Sequence, residues 1–187
     1  MSFKFILASQ SPRREELLAL VLDTFEIIPA KIDESFMQNE SALEYVRRMA
    51  RRKAEAVAKN NPDTVVIGCD TIVEIDGKIF GKPENEDDAE RMLATLSGRF
   101  HQVITAVNIQ NAKKDIAFSE ETRVEFWKLS KEQISQYVQS GECFDKAGAY
   151  AIQGRGALLV KSINGDYYNV VGLPVARLAH ELNNIKK

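Results

Sequence analysis

Cysteine, histidine and net charge are all scarce in this 187-residue chain. The two cysteines, Cys69 and Cys143, form no CxxC pair and join no Cys/His cluster, which excludes a disulfide framework and a zinc site. Two reduced thiols fit a cytoplasmic protein. The two histidines, His101 and His180, share no ligand spacing and read as packing or surface residues. A net charge of −2 excludes binding along a nucleic-acid backbone, yet permits one small anion in a pocket. No apolar run approaches the ~20 residues that span a membrane. The apolar start "FKFILAS" is too short for a signal peptide with its cleavage site. There is no internal repeat, low-complexity segment or linker, and the length fits one domain over 1–187 with a real core.

The apolar pattern gives the elements. "FKFILAS" reads as a buried strand, and "SPRREELLALV" as a helix with Ser11 as cap and Pro12 near its first position. "TFEIIP" is a second strand and "IDES" a polar connection. Residues 41–59 form an amphipathic helix ended by Asn60-Asn61-Pro62. "TVVIGCDTIVEI" is a strand that turns at Asp76-Gly77 into "KIF". "ENEDDAERMLATLSG" is a helix stopped by Gly98, and "HQVITAVNIQ" and "TRVEFWKL" are long strands. "SKEQISQYVQSG" is a helix, followed by a Gly-rich loop, "ALLVKSI", a turn at "NGD", a strand "YYNVV" and a last helix after "GLP". Helices and strands alternate with hairpins between them. The expected fold is α/β with a mixed sheet.

Charges that interrupt an apolar pattern carry the functional signal, because burial without a partner is expensive. Lys53 falls among Val46, Ala50 and Val57 in the apolar stripe of the second helix, whereas Arg47, Arg48, Arg51 and Arg52 fall elsewhere and read as solvated-face charge. Lys53 is either functional or a snorkelling edge lysine. By shape a methionine would fit its place, so Lys53→Met is expected to spare the fold. Asp70 interrupts "VVIGCDTIV" and must be paired, hydrogen-bonded or on a metal. Arg13 and Arg14 stand in the first turn of the first helix, the positive end of its dipole, which points to a bound anion.

Other residues carry weaker signals. Lys82 lies between Gly81 and Pro83 on a stiff turn. Glu34 in "IDES" is either a metal ligand or a helix-capping acid. "DKAGAYAIQGRG" matches neither a Walker A loop nor a dinucleotide fingerprint. Cations, a few carboxylates and a Gly-rich loop, with no Ser–His or Cys–His pair, make the inventory of phosphate chemistry: cations neutralise phosphates, acids hold a divalent metal, and water is the nucleophile.

"LASQSPRREELL", "GCDTIV", "GKP", "LSGRFHQVITAV", "DKAGAYAIQG" and "YYNVVGLP", in that order, resemble the Maf family of nucleoside triphosphate pyrophosphatases. One departure is Cys69, where the family commonly has alanine before the acid. The resemblance implies an elongated mixed sheet with flanking helices, two lobes around a cleft, similar to inosine triphosphate pyrophosphatases. It implies cleavage between the α- and β-phosphates, a divalent cation (Mg²⁺ or Mn²⁺), and a homodimer without stable nucleic-acid or membrane binding. It makes Asp70 the proton acceptor and a metal ligand beside Glu34. It ties Arg13, Thr71 and Gln153 to the base, and Ser9, Arg14, Lys53 and Lys82 to the phosphates. Within the family, Gln153 resembles the dTTP/UTP branch, and its amide, with one donor and one acceptor side, suits a pyrimidine edge. The alternatives are 7-methyl-GTP hydrolysis, or a nucleotide-binding regulator of septum formation without turnover.

Overall fold

The computed structural model describes residues 4–185. Phe3, at the start of the expected first strand, lies outside them. The strands are β1 (Lys4–Leu7), β2 (Glu26–Ile27), β3 (Thr64–Ile75), β4 (Lys78–Phe80), β5 (Phe100–Gln110), β6 (Asp115–Phe126) and β7 (Val160–Asn164). The helices are α1 (Pro12–Leu18), α2 (Ala42–Ala58), α3 (Glu86–Leu96), α4 (Lys131–Gln139), α5 (Tyr167–Val171) and α6 (Val175–Ile185). The strands form one seven-stranded sheet in the order β2-β1-β3-β5-β6-β7, with β4 also paired to β3. It is mixed, as expected: β1 runs parallel to β2 and β3, while β4 is antiparallel to β3 and β7 to β6.

The described residues group into two compact units. The first draws on the described residues up to Asp70, on Thr105–Glu120 and on those from Gly172 onward, and the second on Thr71–Ile104 and Glu121–Val171. In the first, Ile6, Ala8 and Val66 pack with Ala54 and Val57 of α2. In the second, Leu93 and Leu96 of α3, Ile134 and Val138 of α4, and Val124 and Phe126 of β6 share one core. His101 lies in that unit, its Nε2 2.8 Å from the Tyr150 hydroxyl and its ring edge-on to Phe126. It is a packing histidine, and burial pushes its pKa down to about 4. No helix among the described residues is long and apolar enough to cross a membrane.

Local chemistry explains most element ends. Ser41 and Glu44 cap α2 reciprocally, and Asn85 accepts the Asp88 N–H at the start of α3. Asp76 and Gly77 both have positive φ, 52° and 75°, as a two-residue hairpin turn of this hand requires. Three details differ from expectation. Ser11 occupies the N-cap position of α1 as expected, but its side chain makes no capping bond, and α1 ends at Leu18 rather than Val21. "YYNVV" is the helix α5, not a strand. Its β-branched and aromatic residues mislead. Asp166 accepts the Tyr168 N–H on its carboxylate, and the Asn169 amide donates to the Val103 carbonyl and the Thr122 hydroxyl, so local caps and tertiary bonds override propensity.

Candidate active site

Of the expected apolar stripe of α2, Val46, Ala50, Ala54 and Val57 are buried and Leu43 is half-buried; Tyr45 and Met49 are buried beside them, and Lys53 lies buried among them. Its ammonium reaches Asp70 on β3: Nζ donates to Oδ1 at 2.6 Å, and both side chains are 10% exposed. The same Nζ stands 3.0 Å from Glu34 Oε1, whose side chain is 49% exposed. Two carboxylates from distant parts of the chain thus meet on one buried lysine. Glu34 is not the cap of α2, since Ser41 and Glu44 fill that role.

Gly68 makes this approach possible. A Cβ there would fall 2.2 Å from the Ala50 carbonyl oxygen and 2.6 Å from the Ala54 nitrogen, so β3 and α2 touch backbone to backbone one turn from Lys53. Backbone atoms cannot swing aside as side chains do. Gly68→Ala is expected to cost about 2–3 kcal/mol, read as a lower denaturant midpoint with an unchanged slope.

The strand end that carries Asp70 is fixed from its other neighbours. Arg14 Nε donates to the Gly172 carbonyl at 3.0 Å, and its Nη1 donates to the Cys69 carbonyl at 2.9 Å and to Ser9 Oγ at 3.3 Å. The Cys69 thiol also donates to the Gly172 carbonyl, at 3.2 Å. Burial pushes that thiol's pKa up, so it serves as a donor. Arg14 therefore joins α1, β3 and the start of the last segment. Sequence reasoning gave it only to a phosphate, because carbonyl partners leave no mark in a sequence. Arg13, one residue earlier, is half-buried.

The remaining candidates belong to the second unit. Thr71 follows Asp70 and is half-buried, while Lys82 and Gln153 are exposed. Lys82 sits beside Gly81, whose carbonyl accepts the Gly148 N–H at 3.0 Å, and before the buried Pro83. Gln153 immediately precedes a short 3-10 turn, Gly154–Leu158. The Tyr137 hydroxyl accepts the Ala151 N–H at 3.1 Å and the Glu142 carboxylate accepts the Arg155 N–H at 3.0 Å, so its backbone is held on both sides.

Among the described residues, no three His, Cys, Asp or Glu side chains converge as a metal cage. What converges is the Glu34–Asp70 pair, with one lysine between two carboxylates. Both supply oxygen, the donor a hard divalent cation prefers. Mg²⁺ in particular is commonly held by one or two carboxylates, with water and substrate phosphates completing its shell.

The Maf-like protein family matches residues 4–185, which is the whole described chain. The chain belongs to the Maf-like family. A Bacillus cereus relative named dTTP/UTP pyrophosphatase is 51% identical over 179 residues, 96% of this chain and 94% of its own. A Bacillus velezensis relative of the same name is 52% identical over 188 residues, covering 100% of both chains. A solved HAM1 protein from Coxiella burnetii shares the fold of this Maf-like chain, with a TM-score of 0.55, 14% identity, and coverage of 98% of this chain and 100% of that one.

Proposed function

We propose that this Maf-like chain is a nucleoside triphosphate pyrophosphatase acting on dTTP and UTP. The observation that carries the reading is the meeting of Asp70 and Glu34 on the buried Lys53, in a chain half identical to relatives of that name. Water attacks phosphorus, the bridging P–O bond between the α- and β-phosphates breaks, and pyrophosphate leaves. The water's proton passes to the Asp70 carboxylate. Lys53, holding Oδ1, keeps that carboxylate oriented. Glu34 and Asp70 would hold Mg²⁺ or Mn²⁺, which when bound supplies charge neutralisation at the phosphoryl oxygens. The family resemblance assigns Ser9, Arg14 and Lys82 to the phosphates, and Arg14 also donates to the Cys69 carbonyl. Arg13, Thr71 and Gln153 meet the base.

The family match supports treating 1–187 as one functional domain, since it runs through both compact units. A homodimer follows from the family resemblance. A cytoplasmic location is supported by Cys69 and Cys143, both buried free thiols.

The test is pyrophosphate release from a panel of nucleotides at one fixed Mg²⁺ or Mn²⁺ concentration. dTTP and UTP should lead dATP, dGTP and 7-methyl-GTP in kcat/KM. Gln153→Glu should weaken dTTP turnover roughly tenfold to a hundredfold, because a carboxylate would face the pyrimidine carbonyls. A wild type that favours 7-methyl-GTP defeats the substrate assignment, and an unchanged ranking in the mutant removes Gln153 from recognition of the base.

A further inference from the structure

Glu34 lies in a stretch from Ile28 to Glu40 that has neither helix nor strand. Such a segment would normally hold a ligand loosely, since no sheet or helix ladder fixes its backbone. Here three consecutive carbonyls are tied to one helix. Arg52 Nη1 donates to the Asp33 carbonyl at 3.1 Å, the Tyr45 hydroxyl to the Glu34 carbonyl at 2.9 Å, and Arg48 Nη2 to the Ser35 carbonyl at 3.0 Å. Residues 45, 48 and 52 recur at helical spacing, so the donors lie along one side of α2.

The tie is reinforced around its centre. Arg48 also grips both oxygens of Glu40, each at 2.5 Å, closing the far end of the segment. Its guanidinium lies 5.4 Å from the Tyr45 ring centre, and Phe36 stacks on that ring at 4.1 Å. Tyr45 is itself only 6% exposed, so its hydroxyl is carried by a rigid, packed ring. Lys53, on the same helix, takes the Glu34 side chain. Backbone and side chain of Glu34 are therefore both referred to α2, the helix that also contacts Asp70 through Lys53.

From this geometry we infer that Tyr45 is a positioning residue for the divalent cation, acting with Arg48 and Arg52 to pre-set the Glu34 carboxylate opposite Asp70. The inference rests on the proposed role of Glu34 as a metal ligand. It assigns three residues of α2 a task that neither touches substrate nor needs to. A group that orients a ligand typically changes metal affinity by about ten- to a hundredfold when lost.

The decisive substitution is Tyr45→Phe, which deletes the hydroxyl but keeps the ring, its burial and the Phe36 stack. Mn²⁺ binding to the full chain is followed by electron paramagnetic resonance without nucleotide, with Glu34→Gln alongside. Tyr45→Phe should raise the Mn²⁺ Kd roughly tenfold and speed amide exchange at 33–36, while kcat at saturating Mn²⁺ stays within about twofold. Arg52→Gln, at a half-buried position, should move affinity and exchange in the same direction and guards against a folding defect in the first variant. If Glu34→Gln weakens Mn²⁺ binding while the two α2 variants bind as wild type does, the positioning role is overturned. If Glu34→Gln itself binds Mn²⁺ normally, the metal assignment of Glu34 fails, and the inference falls with it.

Discussion

Asp70→Asn is expected to lower dTTP turnover by about a hundredfold or more while the protein stays folded. The substitution is close to isosteric. The asparagine carbonyl oxygen can still accept from Lys53 Nζ, which in the native chain donates to Oδ1 at 2.6 Å, and Glu34 remains 3.0 Å away as the lysine's second partner. Packing around β3 is untouched: Cys69 keeps its bond to the Gly172 carbonyl and Arg14 its bond to the Cys69 carbonyl. What disappears is a group able to take a proton from water. The loss should therefore fall on kcat, with the melting temperature little changed. Steady-state kinetics at saturating metal, beside a thermal melt, separate the two. A folded mutant with near-native kcat would remove Asp70 from the proton-acceptor role.

The legibility of this site in the sequence followed the kind of contact involved. Lys53 and Asp70 stood out because each breaks an apolar pattern of known period, α2 at 3.6 residues and β3 in a continuous buried run. Both are buried and they meet each other. Sequence offered two readings for Asp70, a salt bridge or a functional acid, and it is in a salt bridge with Lys53, whose ammonium also meets Glu34. Gly68 leaves a fainter mark, a glycine in a buried strand next to such an acid, which is a sign of close backbone approach. The bonds of Arg48 and Arg52 were invisible for a different reason. On the helix wheel they lie off the apolar stripe and read as solvated charge, but a loop with no periodicity of its own covers them, leaving the Arg48 side chain 17% exposed. The misreading of α5 has a third cause, since its helix depends on Asp166 and on Asn169 bonds to distant β-strand atoms.

Lys53→Met shows how far a contact can reverse an expectation drawn from pattern. By shape the exchange is harmless: methionine fills a similar volume in an apolar stripe, and on that ground the fold should be unharmed. The ion pair changes the sign. Removing Nζ deletes the ammonium from an Asp70 side chain that is only 10% exposed and from the Glu34 carboxylate opposite it, leaving two acids facing each other. Breaking one side of a buried pair costs about 3–5 kcal/mol, because the remaining charge has lost its partner without regaining water. For a chain of this size the melting temperature should fall by roughly 10 °C. Activity should fall with it, since Asp70 loses the donor that orients it. The double variant Lys53→Met/Asp70→Asn isolates the cause. Its asparagine carries no charge, so most of the stability should return while turnover stays lost, a strongly non-additive pair. Thermal and urea melts of the four proteins in the cycle give the coupling. If Lys53→Met alone melts with the wild type, the lysine adds nothing to the fold, and its ion pairs with Asp70 and Glu34 are not what holds those carboxylates together.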